Sequence, residues 1–396
     1  MSVPQHQLTA EEKLLSSLCR LNFNEEQKSE IRDLMKEVKD WDHFVNLSNE
    51  HGIIALCWYN INETGNSNNV PERQLEILHL AYLKNLTRNT FLFNQLEEII
   101  SLAKKENIKI VLLKGLYLEK TIYGYKGLRQ MNDIDILVRQ DKAASLRRIL
   151  LKNGYKSAPL VSYFHEKIMP AYGKHLPEMI KNGISVEIHF KLFDQSENTL
   201  TELFLDKTSE SFENNIEYNY PGHQLFFLYL VSHLEKHEMS DSSQLRLYLD
   251  LYALLSLFYD EIINEQLFYY AGKVNLLTPL VEKLSLLEIY WDIEIADKFS
   301  PFLEKADYDR VKEKFIWSLR HPNENQKEND RDSLFMLLKN VPGINNQLLL
   351  VIGHIFPSLA YMKYRYKQEN TFRVILYYPI RWFRQIKTIF GHILKT

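Results

Sequence analysis

Two aspartates one residue apart interrupt an apolar run, Asp133-Ile134-Asp135-Ile136-Leu137-Val138, and a second acidic run, Val186-Glu187-Ile188-His189, follows about fifty residues later. Residues two apart on a strand face the same way, so Asp133 and Asp135 can share one hard cation. Glu187 on a neighbouring strand can supply a third oxygen ligand. Such a triad would hold one or two magnesium ions, which is what phosphoryl chemistry requires: a cation that bridges protein carboxylates and phosphate oxygens and orients an in-line attack at phosphorus. An isolated Asp-x-Asp also describes the solvated face of an edge strand. The second acidic run, a glycine turn at Lys114-Gly115 and an arginine at 129 favour the metal-binding reading here.

Lys114-Gly115 closes one apolar run and opens a short helix, where free backbone N–H groups and the helix dipole attract an anion and the lysine adds charge. Arg129, four residues before Asp133, has the geometry to grip a phosphate with two N–H groups, or to be a surface residue flanking a strand. His189 projects with Glu187, toward a nucleotide or as a partner of a carboxylate. His233 and His237 lie four apart on a helix without a third ligand nearby, which fits helix-surface or core histidines better than a metal pair. Arg246 and Asp250, also four apart, have the spacing of a modest surface ion pair.

The elements that must carry these residues can be read from periodicity. Apolar spacing is helical from Thr9 to Tyr59, and a polar loop follows at Glu63–Asn69. Leu75, Leu78, Tyr82 and Leu86 then mark one face of a long helix running from about Pro71 to Lys105. The β-branched run from Ile108 predicts a buried strand. A short helix over Leu116–Tyr123 and a loop over Gly124–Gly127 lead to the strand Asp133–Val138. Asp141 is a natural N-cap for the next helix, and Gly154 suits its C-terminal left-handed position. Lys181-Asn182-Gly183 between two apolar runs is a hairpin signature, because Asn-Gly tolerates the positive φ of a type I′ turn. Beyond Pro221 the pattern is helical again, broken by a polar stretch at 321–332 that reads as a solvated loop or linker. These elements predict an α+β fold in three regions: a helical N-terminal region (1–105), a mixed-sheet core (106–220) and a helical C-terminal region (221–396).

A chain of 396 residues with 45% hydrophobic content can bury a sizeable core, and a formal net charge of −3 excludes a globally basic, nucleic-acid-coating protein. The two cysteines, Cys19 and Cys57, cannot build a disulfide framework or a four-cysteine zinc site, and they read as buried small hydrophobes. The N-terminal residues lack a signal-peptide pattern, and no run of about 18 apolar residues occurs. The expectation is a cytoplasmic protein without integral membrane association. The segment 361–396 stands apart. It carries Lys363, Arg365, Lys367, Arg373, Arg381, Arg384, Lys387 and Lys395 against Glu369, with aromatic residues interleaved. That composition suits weak contact with anionic lipid or nucleic acid, or a terminal helix packing its aromatics on the body, with Pro379 kinking or stopping it.

The stretch Leu112–Tyr155 resembles the nucleotidyltransferase superfamily of DNA polymerase β-like fold, and specifically its bacterial group of uncharacterised nucleotidyltransferase family proteins. The resemblance rests on Leu113-Lys114-Gly115, on Leu128-Arg129-Gln130-Met131-Asn132 leading into Asp133–Val138, on Gly154-Tyr155 and on Val186–His189. The helical region His233–Asp250 and Phe356-Pro357-Ser358-Leu359-Ala360-Tyr361-Met362 extend it over most of the chain after about residue 75. It implies a central nucleotidyltransferase-type sheet with Asp133, Asp135 and Glu187 as catalytic metal ligands, and with Lys114, Gly115, Arg129 and His189 at the nucleotide. The glycine-serine turn of the wider superfamily is Lys114-Gly115 here, so Lys114 or the Gly115 amide would take the serine's place at the phosphates. The implied reaction is magnesium-dependent transfer of a nucleoside monophosphate from an NTP, ATP among the donors, to an acceptor hydroxyl with release of pyrophosphate. The acceptor is left open among a small molecule, a peptide or protein, and RNA. The alternatives are a toxin-type tRNA nucleotidyltransferase and a catalytically degenerate nucleotide-binding or scaffold protein.

Overall fold

The computed structural model describes residues 8–124, 126–193, 199–213, 216–240, 242–303, 307–322, 338 and 341–383. Four helices come first: α1 (Ala10–Ser17), α2 (Glu25–Glu37), α3 (Trp41–Glu50) and α4 (Ile54–Glu63). Thr9 and Asn24 start α1 and α2 with reciprocal capping boxes, in which the cap side chain and the third helical residue satisfy each other's backbone N–H. The long helix α5 (Glu72–Lys104) begins directly after Pro71 and runs unbroken for 33 residues, as its apolar spacing predicts.

The sheet region follows as β1 (Val111–Leu112), α6 (Lys114–Thr121), β2 (Asp133–Leu137), α7 (Gln140–Lys152), β3 (Lys156–Ser157), α8 (Tyr163–Tyr172), β4 (Met179–Lys181), β5 (Ile184–His189), α9 (Thr199–Asp206), β6 (Thr208–Glu213) and β7 (Ile216–Pro221). Its seven strands lie in the order β3-β4-β5-β2-β1-β7-β6. Pairing is parallel for β2–β5 and β1–β7 and antiparallel elsewhere, so the sheet is mixed and the fold α+β. The Asn182-Gly183 turn joins β4 to β5 with φ of 52° and 74°, the conformation a type I′ hairpin demands. Three local readings need correction. β1 is shorter than the apolar run, because only Val111 and Leu112 pair in the ladder. α7 starts at Gln140 with Arg139 as its uncapped boundary, so Asp141 acts within the first turn, where a carboxylate favours the dipole. The β6–β7 ribbon escapes sequence reading because Thr208–Glu213 is largely exposed and carries no apolar alternation.

The chain then becomes helical: α10 (His223–Met239), α11 (Leu245–Ile262), α12 (Glu265–Lys273), α13 (Leu277–Trp291), α14 (Ser300–Leu303), α15 (Tyr308–Arg320), α16 (Ile344–Ile355), α17 (Leu359–Tyr366) and α18 (Thr371–Ile375). α10 buries every residue from Leu225 to Val231, so it is internal, with apolar neighbours on all sides. Residues 323–332 of the polar stretch lie outside the described residues. The C-terminal break falls at Leu376, three residues before Pro379, and helix resumes over 377–383 with the proline in its first turn, where a missing N–H costs little. Both cysteines are buried and free.

α5 ties the first helices to the sheet: Asn85 and Asn89 donate to the carbonyls of Gly127 and Arg129, and Glu98 pairs with Lys181 of β4. His51 ties them to the last helices. Its Nδ1 accepts from the Leu245 N–H at 3.1 Å and its Nε2 donates to the Leu319 carbonyl at 2.9 Å, which requires the neutral imidazole. Burial pushes its pKa down to about 4. The unfolded chain therefore takes up a proton between pH 6.5 and about 4 that the folded chain refuses, and stability falls as pH drops through that window, by up to about 3 kcal/mol. Chemical unfolding at pH 7 and pH 5 should show part of this loss, and His51→Gln should flatten that part of the slope. An unchanged slope in the variant would refute the role given to His51.

Candidate functional site

The candidate site is built where β1, β2 and β5 run side by side. The parallel register sets Asp135 directly across from Glu187 and Asp133 across from Ser185. Side chains alternate along a strand, so Asp133 and Asp135 from β2 and Glu187 and His189 from β5 share one face. Ile134, Ile136, Val186 and Ile188 point to the other face and are buried in the core. The strand pairing thus brings together residues that are about fifty apart in sequence.

Asp135 is the most enclosed of the acids, its side chain 5% exposed against 28% for Glu187, and Asp133 is half-buried. Lys114, at the mouth of β1, reaches Asp135 Oδ1 with its Nζ at 2.8 Å, and His189 Nε2 reaches the same oxygen at 2.8 Å and Glu187 Oε2 at 3.3 Å. Burial alone would raise the Asp135 pKa, but the Lys114 charge and the His189 hydrogen bond hold it well below the usual carboxylate range. Glu187, also opposed by burial, is brought down to about 2 by the His189 hydrogen bond and the nearby His175. The carboxylates in turn raise the pKa of His189 and of Lys114 against their own burial. Asp133 differs. Burial and the adjacent Asp135 charge push it up to about 6, and none of the described residues donates a hydrogen bond to it.

Asp135, Glu187 and His189 place one ligand atom each within 4.8 Å of one another, the one such group of acids, histidines or cysteines among the described residues. Asp133 lies outside that tight group, on the same strand face. The donor set suits a divalent cation: the Asp135 and Glu187 carboxylates converge, and Asp133, half-buried on the same face and without an ion-pair partner among the described residues, carries charge that a cation would relieve.

Lys114 sits at φ +42°, an unusual conformation for a lysine, which turns the chain from β1 into α6 and aims the side chain at β2. Gly115 is required by its surroundings: a Cβ there would stand 2.3 Å from Arg129 Nη1 and 2.7 Å from Met131 Sδ. Arg129 is buried, and its two-pronged grip goes to Asp250 of α11, with Nε–Oδ1 at 2.8 Å and Nη2–Oδ2 at 2.6 Å. Tyr123 also donates to Asp250, and Glu119 accepts from the backbone N–H groups of Gly127 and Arg129. The surface pairing of Asp250 with Arg246 suggested by their spacing is therefore corrected: Asp250 is buried and belongs to Arg129. Arg246 instead donates to the Gln130 carbonyl at 2.9 Å, in the loop leading to Asp133.

Sequence reasoning missed His175, which bridges to His189 at the end of β5 with ring centroids 5.2 Å apart, because it lies in a stretch without periodicity. His233 and His237 face each other at 4.6 Å, and burial keeps both pKa values low. No carboxylate joins them in a metal-binding group among the described residues.

Fold and site together define an α+β protein with an acidic strand face in which Lys114 and His189 partner Asp135. The chain belongs to the uncharacterised nucleotidyltransferase family, whose model matches residues 37–292. That match starts earlier than the resemblance legible by eye and ends before Phe356–Met362. Comparisons with curated proteins and with solved structures find no significant match. Family membership supports a nucleotidyl-transfer activity and, with it, an NTP substrate.

Asp250→Ala would leave the buried Arg129 guanidinium without its anion, and the expected cost in urea unfolding is about 3–5 kcal/mol. A loss below about 1 kcal/mol, within the range of exposed ion pairs, would show that water screens this pair.

Proposed function

We propose that the protein transfers a nucleoside monophosphate from an NTP to an acceptor hydroxyl, using magnesium held by Asp133, Asp135 and Glu187. The observation that carries this reading is the β2–β5 register: it sets Asp135 opposite Glu187, with Asp133 on the same face, in a chain that belongs to a nucleotidyltransferase family. A divalent cation bound there would neutralise the phosphates and polarise the α-phosphorus. In the reaction the acceptor oxygen bonds to the α-phosphorus, the bond to the β-phosphate oxygen breaks, and pyrophosphate departs.

The chain's own groups have distinct parts in this proposal. Asp133, unpaired and raised to about 6, is the carboxylate with most to gain from a cation. Asp135 is held fully ionised by Lys114 and His189. Glu187, more exposed than Asp135, either completes the ligand set or accepts the proton of the attacking hydroxyl. Lys114 stands at a strand end beside α6, so its ammonium can pass from Asp135 to a phosphate oxygen, and the Gly115 amide lies next to it at the helix start. His189 bridges the two acids and orients them. Arg129, bound to Asp250, supports the loop that precedes Asp133 and contributes positive charge behind it.

One observation favours the non-catalytic alternative: Asp135 already has two cationic partners, so it is neutralised without metal. Thermal shift of the wild type and of Asp135→Asn with ATP, GTP, CTP and UTP, each with and without magnesium, separates the two readings. The expected result is magnesium-dependent stabilisation by a nucleotide in the wild type and its loss in the variant. With an acceptor in hand, Asp133→Asn and Asp135→Asn should each lower turnover at least about a hundredfold. Wild-type turnover in both variants would sink the assignment, and stabilisation without magnesium would favour the scaffold reading.

A further inference from the structure

The C-terminal helices present an apolar surface that the fold does not use. α16 packs its inner side, Leu350 and Gly353, on α8, where a Cβ at Gly353 would strike Ser162 Oγ at 2.0 Å. Its outer side carries Ile344, Leu348, Ile352 and Ile355, spaced four, four and three residues apart along one stripe, and all four are exposed. The same division recurs downstream. Val374 is buried, whereas Phe372 of α18, Leu376 at the helix break and Phe383 in the helix after it are 83%, 69% and 71% exposed.

These two stripes belong to one unit. Trp382 Nε1 donates to the Ile355 carbonyl at 2.7 Å, Tyr378 Oη donates to the Pro357 carbonyl at 2.8 Å, and the Phe356 and Trp382 rings meet edge to face. The unit is fastened to the body by the Ser358 N–H, which donates to the Val161 carbonyl at 2.7 Å. Its inward aromatics and aliphatics are thus already placed, and the outer ones are additional.

Charge identifies what the outer face fits. Residues 341–396 hold eight Lys and Arg against the single Glu369, while the preceding 340 residues hold forty against fifty Asp and Glu. The net charge of −3 is therefore about +7 in the terminal segment and −10 in the remainder. Lys367 and Arg373 are exposed, and Arg373 directly follows Phe372 in the chain. A segment rich in Lys and Arg that also exposes Ile, Leu and Phe has the composition of helices lying in a bilayer interface, with headgroups taking the cations and acyl chains the aliphatics; of its basic residues Arg384, Lys387 and Lys395 lie outside the described residues and Arg381 is buried. Nucleic acid would use the cations and aromatic rings but has no partner for a stripe of Ile and Leu. No helix of the described residues is long and apolar enough to cross a membrane.

We infer that the face formed by α16 and residues 371–383 docks this protein on the surface of an anionic lipid bilayer. The inference is independent of the carboxylate site and of any turnover. Its test is flotation of the full chain with vesicles of phosphatidylcholine alone and of equal parts phosphatidylcholine and phosphatidylglycerol. The expected result is binding to the anionic vesicles, weak or no binding to the neutral ones, and weakening by salt. The triple variant Phe372→Ser, Leu376→Ser, Phe383→Ser should bind at least about tenfold more weakly while unfolding at the wild-type temperature, since all three side chains are exposed. Arg373→Glu with Lys367→Glu should remove the preference for anionic vesicles. Absence of binding to either vesicle, or equal binding by the triple variant, overturns the inference. So does a wild-type dimer that the triple variant dissociates without vesicle binding, or binding of RNA in place of vesicles.

Discussion

The burial of Asp135 is the constraint around which the rest of the site is arranged. A carboxylate on a central strand, almost wholly removed from water, cannot stay ionised without positive charge and hydrogen-bond donors around it. Lys114 and His189 supply both, from the strands on either side of β2. Each depends on a feature of its own strand: Lys114 on the left-handed turn out of β1, and His189 on the parallel register that puts it two residues beyond Glu187. A one-residue slip of β5 would turn Glu187 and His189 into the core and leave Asp135 with Lys114 as its one cationic partner.

A second buried ion pair carries the same logic behind the site. Arg129 and Asp250 link the loop before β2 to α11, with Tyr123, Glu119 and Asn89 closing the remaining hydrogen bonds. The loop that delivers Asp133 is therefore held by side chains from α5, α6 and α11 at once. Gly115 and Gly127 are two places where this arrangement leaves no room for a side chain, since a Cβ at Gly127 would meet the Leu86 Cα at 2.7 Å. Sheet and helices here form one electrostatic unit with its charges fixed in place.

The family assignment and the geometry meet at these carboxylates. Membership brings nucleotidyl transfer as the general chemistry, and the strand register supplies an acidic face of the kind that chemistry needs. Two acids sit with cationic partners and a third without, an asymmetry that gives separate parts to residues of the same type.

The sequence by itself determined the elements and the acids. Helical spacing marked α5, Asn182-Gly183 marked the hairpin, and the alternation of Asp133 to Val138 put both aspartates on one face, because these are properties of neighbouring residues. Tertiary structure decided the partners. Arg246 and Asp250 sit four apart on one helix, but Asp250 pairs with Arg129, 121 residues away, since burial selects the pairing that satisfies both charges. His175 came to the site through a bridge to the end of β5, and β6 formed without any apolar alternation to announce it. Which side chains meet across the fold is set by strand order and helix docking, and those depend on contacts between residues that local periodicity does not connect.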